Sequence, residues 1–346
     1  MQTVGWAILG PGQIAQSFAE GLAASRTGRL AAVGSSDAAR ARAFAERFAP
    51  GNSTGNTDGA FAGHYDAVLG RDDVDAVYIG TVHPAHAALA EAALRAGKAV
   101  LCEKPLTPTA AETDRLLAVA ADAGRPLVEA YKNRFSPFAR ELDALVGAGA
   151  VGAPRRLTAS FGFASDERAG RLFDPELAGG ALLDVGCYPL SLAVQIAAAA
   201  GVDPAALRVV EADGRIGPTG VDEDARAVVA AEGFEAHLST SIRSTLPRSA
   251  EIVGTAGTID LPDAWGSRSA SASTILVRRA DASGGGTAER TPREHTTAVV
   301  HPFAAEADAV ARLLDTDACE ARELPWAHSR AIAGLLDAWA AALRAA

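Results

Sequence analysis

The sequence has few cysteines and no cluster of metal-binding side chains. Its three cysteines, Cys102, Cys187 and Cys319, lie far apart, and none belongs to a Cys-X-X-Cys pair or a Cys/His cluster. This spacing supports neither a disulfide framework nor a zinc site, and we expect no bound metal. A reducing compartment fits such cysteine usage, and the cytoplasm is the expected location.

Long apolar runs and a surplus of positive charge are also missing. No apolar stretch of transmembrane length is free of glycine and charge, and the Ala-rich run over 190–200 is too short to span a bilayer. The chain starts without a basic segment, which predicts that there is no signal peptide. The net charge of −10 argues against a nucleic acid or an anionic membrane as partner. With 346 residues, 49% of them hydrophobic, the chain can form two domains with a sizeable core.

A glycine-rich turn near the start is the most informative local pattern. In the stretch over 4–15, a short apolar run typical of a buried strand leads into Gly10 and Gly12. These glycines permit a tight turn and a close approach of the backbone to an anion, and Gln13 and Ile14 then begin a helix. The N–H groups at the start of that helix would face a pyrophosphate. The alternative is a plain strand-to-helix turn that binds no ligand.

The end of the second predicted strand, 30–34, bears on the choice between NAD and NADP. An acidic residue at this place would bind the adenine ribose hydroxyls of NAD, but the sequence has Ser35 and Ser36 there. Two hydroxyls with Arg40 one turn into the next helix suit a 2′-phosphate, which favours NADP, with NAD possible. Arg40 could instead solvate a helix face, and Asp37 is better explained as a helix cap than as a ribose ligand.

The order of predicted elements changes midway along the chain. Up to about residue 127, short apolar strands alternate with helices, which predicts an α/β domain with a parallel, doubly wound sheet. The remainder contains successive short strands with turn signals, over 155–163, 225–231, 234–242, 249–254, 257–261 and 274–277. This pattern predicts an antiparallel or mixed sheet in a second domain. Two stretches rich in glycine and polar residues, 50–63 and 280–297, are predicted to be loops.

Four motifs in order resemble one enzyme family. They are the glycine turn over 9–15, Glu103-Lys104-Pro105 at a strand end, Arg134-Phe135 with Pro137, and the stretch over 179–189. Together they are similar to the Gfo/Idh/MocA oxidoreductases over essentially the whole chain. The Tyr-Pro form of the last motif most resembles the branch with dimeric dihydrodiol dehydrogenases and NADP-dependent D-xylose dehydrogenases.

This resemblance implies a fold and an activity. It implies an NAD(P)-binding Rossmann domain over 1–127 and a C-terminal α/β domain over 128–346. The open, mainly antiparallel sheet of the second domain would form a homodimer or a higher homo-oligomer. The implied reaction is hydride transfer between NADP and a sugar, such as the aldose D-xylose, or a related polyol. The alternatives are a trans-dihydrodiol dehydrogenase or ketone reductase, and a non-catalytic NAD(P)-binding regulator of the same fold.

Lys104 and Tyr188 are the predicted catalytic pair. Oxidation of a hydroxyl needs a base, and tyrosine, with a pKa of about 10, serves only if a nearby ammonium favours the phenolate. The family implies that the two residues meet across a cleft, and the presence of both argues against a regulator. The alternatives are a core aromatic for Tyr188 and a surface lysine for Lys104. Asp184, four residues before Tyr188, could orient the substrate or the tyrosine, or could cap a helix.

The resemblance also implies further cofactor contacts. It assigns Thr81, His83 and His86 to the segment that passes the cofactor, although His86 is equally suited to a structural hydrogen bond at a helix start. Glu103 would brace Lys104 or contact the nicotinamide ribose, and Arg134 completes the predicted cofactor site.

The family's pattern is interrupted at one place. Lys132 and Asn133 stand where relatives often have larger apolar or aromatic residues. These polar side chains favour a hydroxylated or anionic substrate, unless Lys132 points to solvent.

Overall fold

A computed structural model describes residues 3–49, 59–166, 169–280, 291–316 and 318–345. The chain forms two compact units. The first unit comprises Met1–Phe135, Ser267–Ala270 and Val300–Trp326, and the second comprises Ser136–Gly266, Ser271–Val299 and Ala327–Ala346. The predicted domain boundary between residues 127 and 128 stays a prediction.

The first unit is built on alternating strands and helices. In chain order they are β1 (Val4–Leu9), α1 (Gln13–Ala24), β2 (Gly28–Gly34), α2 (Ala38–Phe48), β3 (Phe61–Gly63), α3 (Tyr65–Leu69), β4 (Ala76–Ile79), α4 (His86–Arg95), β5 (Ala99–Glu103), α5 (Ala110–Ala123) and β6 (Leu127–Ala130). The six strands form one parallel sheet in the order β3-β2-β1-β4-β5-β6. Every residue of β1, β4, β5 and β6 is buried, as expected for strands covered on both faces. The predicted doubly wound sheet is therefore confirmed.

The second unit contains α6 (Pro137–Gly147), β7 (Pro154–Gly162), α7 (Cys187–Ala199), β8 (Arg208–Ile216), β9 (Asp222–Ala231), β10 (Phe234–Ser241), β11 (Ala250–Gly254), β12 (Gly257–Leu261), β13 (Thr274–Arg279) and β14 (Arg293–Thr296). These strands form one sheet in the order β14-β13-β12-β11-β7-β10-β9-β8. All neighbours are antiparallel except β7 and β10, which confirms the predicted mixed, mainly antiparallel sheet. The helices α6 and α7 pack against this sheet.

Two short strands lie within stretches that the sequence predicts as loops. β3 occupies the end of the predicted loop over 50–63, and β14 lies in the predicted loop over 280–297. The loop prediction was wrong there because both strands are edge strands whose partners supply the order, β2 for β3 and β13 for β14. The remaining parts of these predictions at 50–58 and 281–290 lie outside the described residues.

The helical stretch that leads into α7 is the most apolar part of the fold. Among the described residues, one helical stretch, Pro175–Ala199, is long enough and apolar enough to cross a membrane. However, most of this stretch is buried inside the protein, as in a core helix. The stretch is therefore weak support for a membrane span.

Two helices near the end of the chain complete the units. α8 (Pro302–Leu314) returns to the first unit, where it packs against α1 and β5. The ring centroids of Phe303 and Phe18 are 6.5 Å apart in an edge-on arrangement. α9 (Trp326–Ala345) closes the second unit, where the buried Trp339 donates a hydrogen bond to the Arg226 carbonyl at 3.0 Å.

Candidate active site

The glycine turn joins β1 to α1, and its two glycines have different reasons to be glycine. Gly10 has a φ of +85°, and an added Cβ would lie 2.5 Å from the Thr81 side chain, so the fold itself requires glycine. At Gly12 the nearest atom to an added Cβ is the Gly80 carbonyl oxygen at 3.7 Å, an ordinary contact. The protein leaves room beside Gly12, as close approach by a ligand would require.

The start of α1 suits a phosphate group. Gly12 precedes the helix and offers no side chain to cap it, so no side-chain cap satisfies the amides of the first turn. These amides and the positive end of the helix dipole form a site for an anion. Gln13 is exposed and Ile14 is half-buried at this helix start. The residues present therefore fit a dinucleotide pyrophosphate.

The sheet order brings the other predicted cofactor residues to the same edge. The chain reverses direction across the sheet at β1, since β2 lies on one side and β4 on the other. Ligands of such sheets bind at the carboxyl ends of the strands beside this switch point. Gly10, Ser35, Thr81 and Lys104 follow the carboxyl ends of β1, β2, β4 and β5 respectively.

At the end of β2, the serines and Asp37 have separate roles. Ser35 is buried, and its Oγ accepts a hydrogen bond from the Asp37 N–H at 3.1 Å. The Asp37 carboxylate accepts from the amides of Ala39 and Arg40, which confirms that Asp37 caps α2. Ser36 and Arg40 are exposed at this helix start. Their side chains are accessible to a phosphate.

At the end of β4, His86 links two loops through its ring. The ring is fully buried, with Nδ1 at 3.0 Å from the Pro105 carbonyl oxygen and Nε2 at 3.4 Å from the Thr81 carbonyl oxygen. Burial lowers the pKa of His86 to about 4, so the ring is neutral at physiological pH. A neutral imidazole has one N–H, and the shorter distance assigns it to Nδ1 and Pro105. His83 is also buried, with its ring centroid 5.7 Å from that of His86.

At the end of β5, a buried carboxylate lies next to Lys104. Glu103 is buried and accepts a hydrogen bond from the Tyr78 hydroxyl at 2.7 Å. Burial raises the pKa of Glu103, and the Lys104 ammonium opposes that rise. Lys104 itself is partly exposed and precedes a cis peptide bond to Pro105. The arrangement leaves the lysine accessible while its neighbour is fixed in the core.

The segment after β6 is buried, contrary to one reading of the sequence. Lys132 is only 8% exposed, so the alternative that its side chain points to solvent is wrong. Its charge opposes the rise in the pKa of Glu103 and of Glu306, which explains why a lysine is tolerated in the core. Asn133 and Arg134 are buried as well, and Arg134 donates to the Glu323 carbonyl at 3.1 Å.

Glu306 on α8 is a buried acid that the motifs do not reveal. It is fully buried, and neither carboxylate oxygen has a hydrogen-bond partner within the described parts of the chain. Burial raises its pKa well above the usual value, and the negative charge of Glu103 adds to this rise. A signal does exist in the sequence, because Glu306 shares the apolar helical stripe with Phe303 and Val310.

In the second unit, Tyr188 lies in the first turn of α7 against two aromatic side chains. Its ring centroid is 5.3 Å from that of Phe161 and 6.0 Å from that of Trp265. The Trp265 indole N–H donates to the Ser160 carbonyl at 2.9 Å, which fixes this ring. Tyr188 is 9% exposed, so its position is set by packing.

Asp184 lies within the helical stretch rather than ahead of it. It belongs to a π-helical turn, Leu182–Gly186, that runs directly into α7. Its carboxylate accepts a hydrogen bond from Arg171 at 2.8 Å, and the side chain is 14% exposed. The sequence left open a capping role for Asp184, but a residue inside the turn does not hold the position of an N-cap.

In the described part of the chain, no group of three or more His, Cys, Asp and Glu side chains could hold a metal ion. Each unit brings its own share of the predicted residues together. The first unit holds the predicted cofactor residues and Lys104, and the second holds Asp184 and Tyr188. The catalytic and binding roles assigned to them stay predictions.

Comparison with known proteins identifies the family. Residues 4–131 match the Gfo/Idh/MocA oxidoreductase family with its NAD-binding Rossmann fold, and residues 139–260 match the Gfo/Idh/MocA C-terminal domain. A trans-1,2-dihydrobenzene-1,2-diol dehydrogenase from Xenopus tropicalis is 34% identical over 264 residues, which cover 75% of this chain and 76% of the relative. An NADP-dependent D-xylose 1-dehydrogenase from Hypocrea jecorina is 32% identical over 270 residues, covering 71% of this chain and 66% of the relative.

A solved structure resembles the chain over its length. It is a 3-ketoreductase from Actinomadura kijaniata in complex with NADP and TDP-benzene, with a TM-score of 0.82 and 27% identity. The likeness covers 99% of this chain and 98% of the other. These matches confirm the predicted oxidoreductase class, the Rossmann fold and a nicotinamide dinucleotide as cofactor. The chain belongs to the Gfo/Idh/MocA family of NAD(P)-dependent oxidoreductases.

Proposed function

We propose that this protein is an NADP-dependent dehydrogenase that transfers hydride between the nicotinamide and a carbinol carbon of a sugar, an aldose such as D-xylose, or a related polyol. The names of the relatives support this substrate class, since they include D-xylose dehydrogenases and a scyllo-inositol dehydrogenase that use NADP. The residues after β2 support NADP over NAD. An NAD enzyme would have an acidic residue there, but this chain has two serines, followed by Arg40.

One observation carries the proposed chemistry: Lys104 and Tyr188 have the same spacing along the chain as a lysine and a tyrosine that were substituted in a solved relative. The 3-ketoreductase was also solved as variants at one lysine and one tyrosine. Those two positions are as far apart in that chain as Lys104 and Tyr188 are here. A regulator that only binds a dinucleotide needs neither an ammonium nor a phenol.

Each catalytic side chain has a role that follows from its chemistry. Bound NADP would supply the hydride acceptor. The Tyr188 oxygen, as phenolate, takes the proton of the substrate hydroxyl, and the positive charge of Lys104 favours the phenolate form of the tyrosine. Glu103, anchored by Tyr78, fixes the strand end from which Lys104 extends. Asp184, held by Arg171, orients the substrate hydroxyls or the tyrosine.

The cofactor side of the proposal uses residues of the first unit. The amides after Gly10 and Gly12 hold the pyrophosphate, with Gln13 and Ile14 beginning the helix behind it. Ser36 and Arg40, which are exposed, would hold the adenosine 2′-phosphate, and Ser35 would support them from its buried position at the end of β2. The remaining cofactor contacts in the proposal are Thr81, His83, Glu103 and Arg134. The buried ring of His86, with both nitrogens near backbone carbonyl oxygens, supports its structural alternative instead.

A second candidate is a trans-dihydrodiol dehydrogenase or ketone reductase with the same catalytic residues. The observation that favours it is the half-buried ring of Phe161 beside Tyr188, which offers an aromatic contact to an unsaturated ring. We further infer a cytoplasmic homodimer formed through the eight-stranded sheet. The face of β10 that carries Glu235 and His237 is exposed in the single chain, and it is the face that a second copy would cover.

The deciding experiment follows nicotinamide absorbance with purified protein, both cofactors, and a panel of aldoses, inositols and trans-diols. We expect turnover with NADP and a sugar or polyol, and a higher kcat/KM with NADP than with NAD. Turnover restricted to trans-diols would establish the second candidate. Binding of NADPH without turnover of any compound would instead support a regulator.

The Tyr188→Phe variant tests the assigned chemistry. It removes the phenolic oxygen but keeps the ring that packs against Phe161 and Trp265, so the fold should persist. We expect kcat to fall by about 10²–10⁴-fold, the usual contribution of a general base. NADPH fluorescence should report an unchanged cofactor affinity. Wild-type turnover in this variant would contradict the role of Tyr188.

A further inference from the structure

The helical stretch that carries Asp184 and Tyr188 starts with an unusual turn. Leu182–Gly186 is π-helical and continues directly into α7. π-Helical turns are rare, have wider hydrogen-bond spacing than an α-helix, and occur often at functional sites. The contacts that hold the start of this turn therefore bear on where the Tyr188 ring lies.

Asp222, the first residue of β9, caps this turn from a distance. Its Oδ2 accepts a hydrogen bond from the Leu182 N–H at 2.6 Å, and the backbone of Ala181 also interacts with the carboxylate. The residue at the N-cap position, Ala181, has no side-chain acceptor for the amides at the helix start. Asp222 supplies from a neighbouring strand the acceptor that a local cap would otherwise provide.

The backbone ahead of the turn is shaped around this carboxylate. Gly180 has a φ of +112°, and a Cβ added there would collide with Asp222 Oδ1. Any side chain at 180 would therefore push the carboxylate away from the turn. Gly180 has no side chain, and the Asp222 carboxylate occupies the space that a side chain at this position would take.

We propose that Asp222 is a positioning residue for the reaction: by accepting the amides at the start of the π-helical turn, it fixes the orientation of the Tyr188 hydroxyl. The inference rests on the proposed role of Tyr188 as the proton acceptor. Asp222 acts through the backbone of the turn. Its carboxylate sets the start of the helix, Arg171 holds Asp184 in the middle, and the rings of Phe161 and Trp265 fix the tyrosine.

Three variants separate positioning from general stability. Asp222→Ala removes the acceptor, Asp222→Asn keeps one oxygen that can accept, and Asp224→Ala is the matched control. Asp224 lies on the same strand, but its carboxylate accepts from Ser241 and Arg215. We expect Asp222→Ala to lower kcat by about tenfold to a hundredfold, the cost of a small misplacement of a catalytic group. Asp222→Asn should recover most of kcat, and NADPH affinity should stay unchanged in all three.

A second readout reports the tyrosine itself. The chain has four tyrosines, so 3-fluorotyrosine labelling gives few ¹⁹F resonances, and Tyr188→Phe assigns the one of interest. We expect this resonance to move in Asp222→Ala and to stay in place in Asp224→Ala. Should the alanine variant fail to fold, Asp222→Ser, whose hydroxyl is too short to reach the turn, should show the same changes.

The outcomes distinguish the two proposals. If Tyr188→Phe abolishes turnover but Asp222→Ala changes neither kcat nor the Tyr188 resonance, the positioning role is overturned and the proposed chemistry stands. If the resonance moves but Tyr188→Phe keeps full turnover, Asp222 positions the ring and the proposed chemistry fails. An equal loss of kcat in Asp224→Ala would show that the effect is one of stability, and would also overturn the positioning role.

Discussion

At the scale of single residues, the core of the first unit contains ionisable side chains, which either contribute to function or lower the free energy of unfolding. Glu103 has Tyr78 as a donor and Lys104 and Lys132 as nearby positive charges. Glu306 has only the opposing charge of Lys132 and no hydrogen-bond partner within the described residues. Burial therefore favours the neutral form of Glu306, since desolvation penalises the ionised form of an acid that has no hydrogen-bond donor.

Replacing Glu306 should therefore stabilise the protein. The pKa of Glu306 is raised by burial, so folding at neutral pH requires this group to take up a proton that the unfolded chain has lost. Stability is thus lost as the pH rises above the pKa of the unfolded glutamate. We expect Glu306→Leu to raise the free energy of unfolding by about 1–3 kcal/mol at a pH of about 8, and by less at a pH of about 5.

Urea unfolding at the two pH values measures this gain. Glu46→Leu, at an exposed position on α2, is the control and should give no pH-dependent difference. A loss of stability in Glu306→Leu at the higher pH would mean that the carboxylate is ionised and paired in the folded protein.

Sequence reasoning at this scale found residues that belong to motifs and missed those that act through tertiary contacts. The end of β5 and the start of α7 were identified because short motifs surround Lys104 and Tyr188. Asp222 and Glu306 were missed because their partners lie 40 or more positions away along the chain and share no motif with them. For Glu306, a charged residue in an apolar helical stripe was the available signal.

At the scale of elements, the sequence predicted the strands of both sheets where apolar alternation or apolar runs are strong. It located β9 to β13 and β7 within a few residues of their positions. It missed β8, because this edge strand contains aspartate and glycine and most of its residues are exposed. The π-helical turn before α7 was also missed, since no local pattern marks a single wide turn.

At the scale of elements, Asp222, which caps this turn, should make the free energy of unfolding depend on pH. Burial raises the pKa of Asp222 from 3.8 to about 6, and its hydrogen bonds to the backbone of Leu182 and the charge of Arg344 only partly oppose this. Because the folded pKa is the higher one, the folded state binds more protons between these values. Stability should fall as the pH rises from about 4 to about 6, by on the order of 3 kcal/mol, and level off above that range.

Asp222→Asn should remove this part of the pH dependence. Thermal unfolding across the range, compared between wild type and the variant, isolates the contribution of the one group. Other titrating groups, such as His86 with its lowered pKa, act in both proteins and cancel in the difference. If the stabilities of the wild type and of Asp222→Asn change with pH in the same way, the raised pKa of Asp222 is contradicted.

At the scale of the whole molecule, the first unit is discontinuous in sequence. Its sheet is complete by β6, but α8 and the segment before Trp326 return to it. The Trp326 indole N–H donates to the Leu127 carbonyl at 2.9 Å, and the Leu127 N–H donates to the Cys319 carbonyl at 3.0 Å. A reading along the chain predicts one boundary, because pattern and composition do not reveal which distant segment covers a sheet.

This arrangement predicts the behaviour of a truncated chain. A protein of residues 1–135 ends after the parallel sheet but lacks α8, so it exposes the apolar surface of α1 and β5 that Phe303 and its neighbours cover. We expect it to unfold without a sharp transition and to bind NADPH weakly, because the lost burial amounts to several large apolar side chains at about 1.5–3 kcal/mol each.

Joining residues 300–326 through a flexible Gly-Ser linker should restore a cooperative transition and NADPH fluorescence. The same joined chain with Phe303→Ser, which replaces one apolar contact of α8 by a hydroxyl, should restore less. Cooperative unfolding and full NADPH binding by residues 1–135 alone would show that the dinucleotide-binding fold ends where the sequence pattern changes, and that α8 is an addition to a unit already stable without it.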